Sequence, residues 1–136
     1  MWEKDMRLTI GKTYAISSDV IWWLMTDTRL WPLWGPSVRA VDCSDAVINS
    51  ASTGRILTAL GLWISFAVGD FVPGIYWDWR VAGVPATGHR VKPLGPGRCR
   101  LSFDMPAWAV AYLPVCYLAL MRIQRLAKQM QRQGAS

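Results

Sequence analysis

Residues 75–105 read IYWDWRVAGVPATGHRVKPLGPGRCRLSFDM, and their alternation decides the fold. In 75–82, Trp77, Trp79 and Val81 fall on one face, with Tyr76, Asp78 and Arg80 on the other. In HRVKP, His89 and Val91 oppose Arg90 and Lys92. In RCRLSFDM, Cys99, Leu101, Phe103 and Met105 oppose Arg98, Arg100, Ser102 and Asp104. A period of two with one apolar and one charged face predicts antiparallel strands, wet on one side and buried on the other. Residues 83–87 (GVPAT) read as a connection, and Pro93 to Gly97 as a turn. On the wet face, Asp78 is expected to pair with Arg80 or Arg90, and Asp104 with Arg100 or Arg98.

Upstream, residues 6–16 alternate well enough for a strand. Ser17-Ser18-Asp19 offers a helix cap before Val20 to Met25, and Asp27-Thr28 offers a second. That second helix is brief: Pro32 suits a first turn, and Gly35-Pro36 ends it. Residues 38–43 read as a strand, 44–53 as a polar loop, and 54–60 with 62–71 as strands that meet in a hairpin or bend at Gly61. Downstream, 107–113 leads into a helix with Pro114 in its first turn, running to about Gln131. Its apolar stripe is Cys116, Ala119, Leu120, Ile123, Ala127 and Met130. A sheet with one apolar face must be covered, and only this last helix is long enough. The expectation is an α+β fold. Six or seven antiparallel strands wrap around a long C-terminal helix, with two short helices after the first strand, as one domain over 1–136.

Composition narrows the function. At 136 residues and 52 % hydrophobic content the chain can build a core, which excludes disorder. The net charge is +6, but the charges are scattered. The densest group, Arg122, Arg125, Lys128 and Arg132, has helical spacing and reads as a solvated helix face. No basic strand carries interleaved aromatics, so nucleic acid is set aside as a partner. Cys43, Cys99 and Cys116 form no CxxC pair and join no histidine cluster, so neither a disulfide framework, a metal site nor a cofactor is expected. The start, Met1-Trp2-Glu3-Lys4-Asp5, lacks the apolar core of a signal peptide, which makes a cytoplasmic location the expectation. Residues 105–121 are uncharged, at the lower limit of a membrane span, yet they contain two prolines and continue amphipathically. They read as a helix on a protein core, with contact at a membrane surface left open. No specific protein partner is expected.

The order of elements resembles the SRPBCC superfamily, the START-like or helix-grip proteins, over nearly the whole chain. The local likeness rests on Ser18-Asp19-Val20-Ile21-Trp22 and on Thr26-Asp27-Thr28-Arg29-Leu30-Trp31-Pro32-Leu33-Trp34, with Tyr76–Val81 and His89-Arg90-Val91 behind them. These segments are similar to those of small bacterial members grouped with polyketide cyclases and dehydrases. The resemblance implies a cavity between sheet and helix that holds a lipid, polyketide or other small hydrophobic molecule. It matches no catalytic motif residue by residue, and Glu3 is the only glutamate.

The inward faces of 62–70, 75–81, 89–91 and 99–105, with the last helix, are expected to line that cavity. The candidate ligand-binding residues are His89, Trp77, Trp79, Phe66, Cys99, Leu101, Phe103, Trp34 and Cys116; no catalytic residue is assigned. His89, the sole histidine, is a structural imidazole, a ligand contact or an acid–base group. Trp31 and Trp34 either staple their short helix to the sheet or gate the cavity. The nine tryptophans either fill the interior or line it. The expected function is binding of a small hydrophobic ligand, with a cyclase or dehydrase acting in the same cavity as the alternative.

Overall fold

The computed structural model describes residues 7–135, with side chains through 133. Trp2, Glu3, the Met6 start of the first strand and the N-terminal pentapeptide lie outside the described residues. Seven antiparallel strands form one sheet in the order β1-β7-β6-β5-β4-β3-β2. They are β1 (Arg7–Tyr14), β2 (Val38–Cys43), β3 (Thr53–Thr58), β4 (Trp63–Val72), β5 (Tyr76–Val81), β6 (Val84–Pro93) and β7 (Cys99–Pro106). The chain runs up one edge as β1 and crosses to the opposite edge through helix α1 (Ser18–Thr26), a 3-10 turn (Thr28–Leu30) and helix α2 (Trp31–Trp34). It then returns strand by strand until β7 pairs with β1, Tyr14 opposite Cys99 and Leu8 opposite Met105. A 3-10 segment (Ala107–Tyr112) leads into helix α3 (Leu113–Ala135), which lies across the inner face.

Alternation sets which face is inner. On β7, Cys99, Leu101, Phe103 and Met105 are buried. Cys116, Ala119, Leu120, Ile123 and Ala127 of α3 are buried against them, so the helix stripe and the sheet face cover one another. The helical segment Ala107–Gln133 is long and apolar enough to cross a membrane by length and composition. One stripe of it is buried against the sheet, while Trp108, Val110, Tyr112, Tyr117 and Leu118 are exposed.

The crossover is held by polar bonds that its sequence supplies. The Asp27 carboxylate caps the 3-10 turn, accepting from the Arg29 backbone N–H at 3.0 Å, from the Arg29 guanidinium at 2.9 and 2.7 Å, and from Trp23 Nε1 at 3.1 Å. The Arg29 bonds hold its pKa below the usual carboxylate range. Trp31 Nε1 donates to the Met25 carbonyl and Trp34 Nε1 to the Leu24 carbonyl, so both indoles staple α2 to α1.

Four expectations need correction. Residues 84–87 are not a connection: the turn is only Ala82-Gly83, both at positive φ (54° and 76°), and β6 starts at Val84. Such a two-residue turn matches the strand twist, and a register shift between Asp78 and Arg80 accommodates Pro85. The charge pairs also differ. Asp104 binds Arg7 across the β1–β7 ladder, while Asp78 accepts from Tyr76 OH and the Asp70 N–H. Arg7 wins because it stands two residues from Thr9, the residue opposite Asp104, and so lies diagonally beside Asp104 on the same face of the neighbouring strand. The loop 44–53 is not simply polar, since Ile48 is buried in the core and the Ile48 N–H donates to the Thr26 carbonyl. Finally, α3 extends past Gln131 to Ala135.

Candidate functional site

The inner face is not filled along its whole length. Between α2, the 3-10 segment, the start of α3 and the middle strands lies a cavity of about 350 Å³. Its wall includes Trp31, Trp34, Ile56, Trp77, Trp79, His89, Phe103, Met105, Val115, Cys116 and Ala119. Among the described residues, no lining residue is charged. The exposed members of the wall, Trp108, Val84, Pro85 and Tyr112, mark the mouth. There the Ser37 hydroxyl, just after α2, meets Tyr112 OH at 2.6 Å and ties the two sides of the mouth together.

The wall is an aromatic cluster. Trp31 stacks on Trp77 with ring centroids 5.5 Å apart and planes 9° apart, and meets Trp79 edge-on. Trp77 also stacks on His89 at 4.1 Å, and His89 meets Phe103 edge-on at 5.3 Å. Strand alternation puts Trp77 and Trp79 on the same side, and antiparallel register brings His89 directly beside Trp77.

Hydrogen bonds fix the state of His89. Its Nδ1 lies 3.1 Å from the Trp77 carbonyl oxygen, which can only accept, so Nδ1 carries the proton. Nε2 is then an acceptor, and the Thr87 hydroxyl donates a hydrogen bond to it at 3.1 Å. Thr87 Oγ1 in turn accepts from Trp79 Nε1 at 3.1 Å. Complete burial pushes the imidazole pKa down to about 4, only partly offset by the bond to Trp77, so it is neutral at pH 7. Cys116, also in the wall, is a buried thiol whose pKa burial raises to about 11. Neither group is poised for proton transfer or nucleophilic attack. The indole N–H of Trp77 differs from all of these: it is buried and has no partner among the described residues.

Of the nine sequence candidates, the structure gathers His89, Trp77, Trp79, Phe103, Trp34 and Cys116 around the cavity. Phe66 sits outside the wall, packed against Trp31 and Trp79 at 5.6 and 5.5 Å, while Cys99 and Leu101 are sealed in the solid part of the core. Sequence reading missed Thr87, Trp108, Tyr112 and Val115. Thr87 shares the inward parity of His89 once 84–87 is read as strand, so a signal was present. The tryptophans divide as well: Trp31, Trp34, Trp77, Trp79 and Trp108 line the cavity, whereas Trp23 and Trp63 are largely exposed.

A curled antiparallel sheet gripping one long helix, with an apolar cavity between them, defines the helix-grip class of protein. Solved structures agree with that description. The chain is similar to the Zhui aromatase/cyclase from a Streptomyces species, with TM-score 0.70 and 12 % identity over 91 % of this chain and 94 % of that one. It is equally similar to protein NE0264 from Nitrosomonas europaea (TM-score 0.70, 13 % identity, covering 94 % and 97 %). A third likeness is XoxI from Bacillus cereus, again at TM-score 0.70 and 13 % identity, covering 92 % and 97 %. At these identities the likeness is one of fold. No family model and no curated protein matches the chain.

Proposed function

We propose that the protein binds a small hydrophobic molecule in this cavity. The observation that carries the reading is the partly enclosed space of about 350 Å³ whose wall, among the described residues, is mainly aromatic and aliphatic and holds no charge. That volume lies within the range of small-molecule pockets, and burial of apolar area at ~25 cal/mol per Å² supplies the binding energy. The likeness to an aromatase/cyclase supports a cavity put to use, not the reaction. Proton transfer through His89 is disfavoured because both its nitrogens are engaged and its pKa lies near 4. Binding therefore stands ahead of cyclisation.

A membrane surface is the proposed source of the ligand. Leu33, Trp108 and Val110 are exposed, the last two on the segment that borders the mouth. No acidic residue follows Asp104, whereas Arg122, Arg125, Lys128 and Arg132 do. The test of the whole reading is native mass spectrometry of the purified protein, followed by tryptophan-fluorescence titration. A co-purified lipid or pigment that quenches on rebinding is the expected result. A protein that is ligand-free and unresponsive to every apolar probe overturns it.

A further inference from the structure

Among the described residues the cavity wall contains one buried side-chain donor with no partner, and that group bears on the ligand's chemistry. Trp77 is 1 % exposed, lies in the cavity wall, and its Nε1–H is the buried side-chain donor without a partner among the described residues. Its ring stacks on Trp31 and His89, so what it leaves unsatisfied is the ring edge that bears the N–H. Leaving such a donor unpaired in a low-dielectric interior is costly, whereas Trp31 and Trp34, also buried, both have carbonyl partners. The neighbouring polar groups cannot serve it. The Trp77 carbonyl accepts from His89, and the lone pair on His89 Nε2 is taken up by Thr87. The chain Trp79 Nε1–H to Thr87 to His89 to the Trp77 carbonyl is closed, each donor having its acceptor.

We infer that the cavity recognises a neutral, ring-shaped apolar molecule carrying an oxygen acceptor such as a ketone or quinone, which takes its hydrogen bond from Trp77 Nε1–H. Neutrality follows from the wall: a carboxylate or ammonium group here meets no counter-charge and loses its hydration. An acceptor is required because the group left over is a donor only; a hydroxyl oxygen can accept too, but its own proton would then be buried without a partner, which favours a carbonyl. Ring shape follows from the aromatic faces, which give a flat or fused-ring molecule more contact than a flexible chain. This rests on the reading of the cavity as a ligand site, and deepens it.

The experiment uses three matched probes, 1-tetralone, tetralin and 1,2,3,4-tetrahydro-1-naphthoate, titrated into the wild type and Trp77→Phe. The readout is the 1H–15N spectrum of the indoles, with the Trp77 resonance assigned by its loss in the variant. Both neutral probes bind the wild type, and only the ketone moves the Trp77 indole proton downfield. In Trp77→Phe the ketone-over-hydrocarbon preference falls about tenfold, the size of one hydrogen bond to a buried donor. The naphthoate binds at least tenfold more weakly than the ketone. If both neutral probes bind but the preference is unchanged and the Trp77 proton does not shift, the anchor is wrong and the cavity reading survives. Tighter binding of the naphthoate overturns neutrality. If neither neutral probe binds, both readings fall. Should Trp77→Phe not fold, the wild-type indole shift decides alone.

Discussion

The two halves of the interior are built from the same strands and the same helix, yet one is solid and the other hollow. Along β7, Cys99 and Leu101 are sealed in packed core, while Phe103 and Met105, two and four residues beyond Leu101, border the cavity. Along α3 the order is reversed, as antiparallel crossing demands: Val115, Cys116 and Ala119 border the cavity, and Leu120, Ile123 and Ala127 are packed against Tyr14 and its neighbours. Tyr14 even donates its hydroxyl proton to the Leu120 carbonyl at 2.7 Å, a bond between strand and helix deep in the solid half. Side-chain size explains the difference only in part. The hollow half has the larger residues, but four of them are tryptophans pinned by hydrogen bonds or by stacking, and rigid walls cannot collapse into the space they enclose. The solid half is mainly aliphatic, with Tyr14 and Cys99 among side chains packed close together. Close packing resides in one half and the cavity in the other.

The strongest break of that division is a truncation in the solid half. Ile123→Ala is expected to cost about 2–5 kcal/mol in unfolding free energy, because it opens a void in packed core. Val115→Ala, one face of which already meets empty space, costs clearly less. Urea unfolding of both variants measures the contrast. Equal losses contradict the solid–hollow distinction.

Acid should act through the hollow half. His89 titrates near pH 4 in the folded protein and near 6.5 when unfolded, so between those values only the unfolded chain takes up the proton. Stability is therefore full above pH 6.5 and falls as pH drops toward 4, by up to about 3 kcal/mol from this group. His89→Gln removes that window and flattens the curve there. A wild-type stability that is level from pH 6.5 to 4.5 contradicts the buried neutral imidazole.

Filling the space tests whether it is used. Ala119→Phe places a ring into the cavity from α3, and binding of 1-tetralone is expected to fall by at least tenfold. The cost in stability is small beside that of Ile123→Ala, about 1–2 kcal/mol at most, since the ring enters existing volume. Unchanged affinity with a folded variant places the ligand elsewhere.

Much of this division is invisible in the sequence, for a definite reason. Period-two alternation tells which side of a strand faces in, and it placed Trp77, Trp79, His89 and Phe103 correctly. It says nothing of how far along the interior a residue lies. Leu101 and Phe103 have the same parity on the same strand, and only the helix crossing separates packed core from cavity wall. Likewise, Ala82-Gly83 hid the start of β6, because a non-glycine residue at φ 54° is no recognisable turn signal. That error concealed Thr87, and with it the hydrogen-bond chain that fixes His89. The capping role of Asp27 was legible, because an Asp two residues before the backbone N–H it accepts is a local pattern. What sequence reading conveys here is local. The cavity is a property of elements distant in the chain.

The smallest expected effect lies at the mouth, where the two sides of the opening meet. The hydrogen bond between Ser37 and Tyr112 links the end of the α2 crossover to the segment that precedes α3, and it is partly open to water. Such a bond contributes about 0.5–1 kcal/mol at most. Tyr112→Phe keeps the ring in the wall and removes only that tie. Equilibrium affinity for 1-tetralone should hardly change, because the ligand contacts remain. Both association and dissociation rates should rise about twofold to fivefold if opening of this contact limits passage, as stopped-flow tryptophan quenching can record. Unchanged rates with unchanged affinity mean that ligands enter elsewhere, and the β5–β6 turn beside Val84 becomes the side of the mouth that moves.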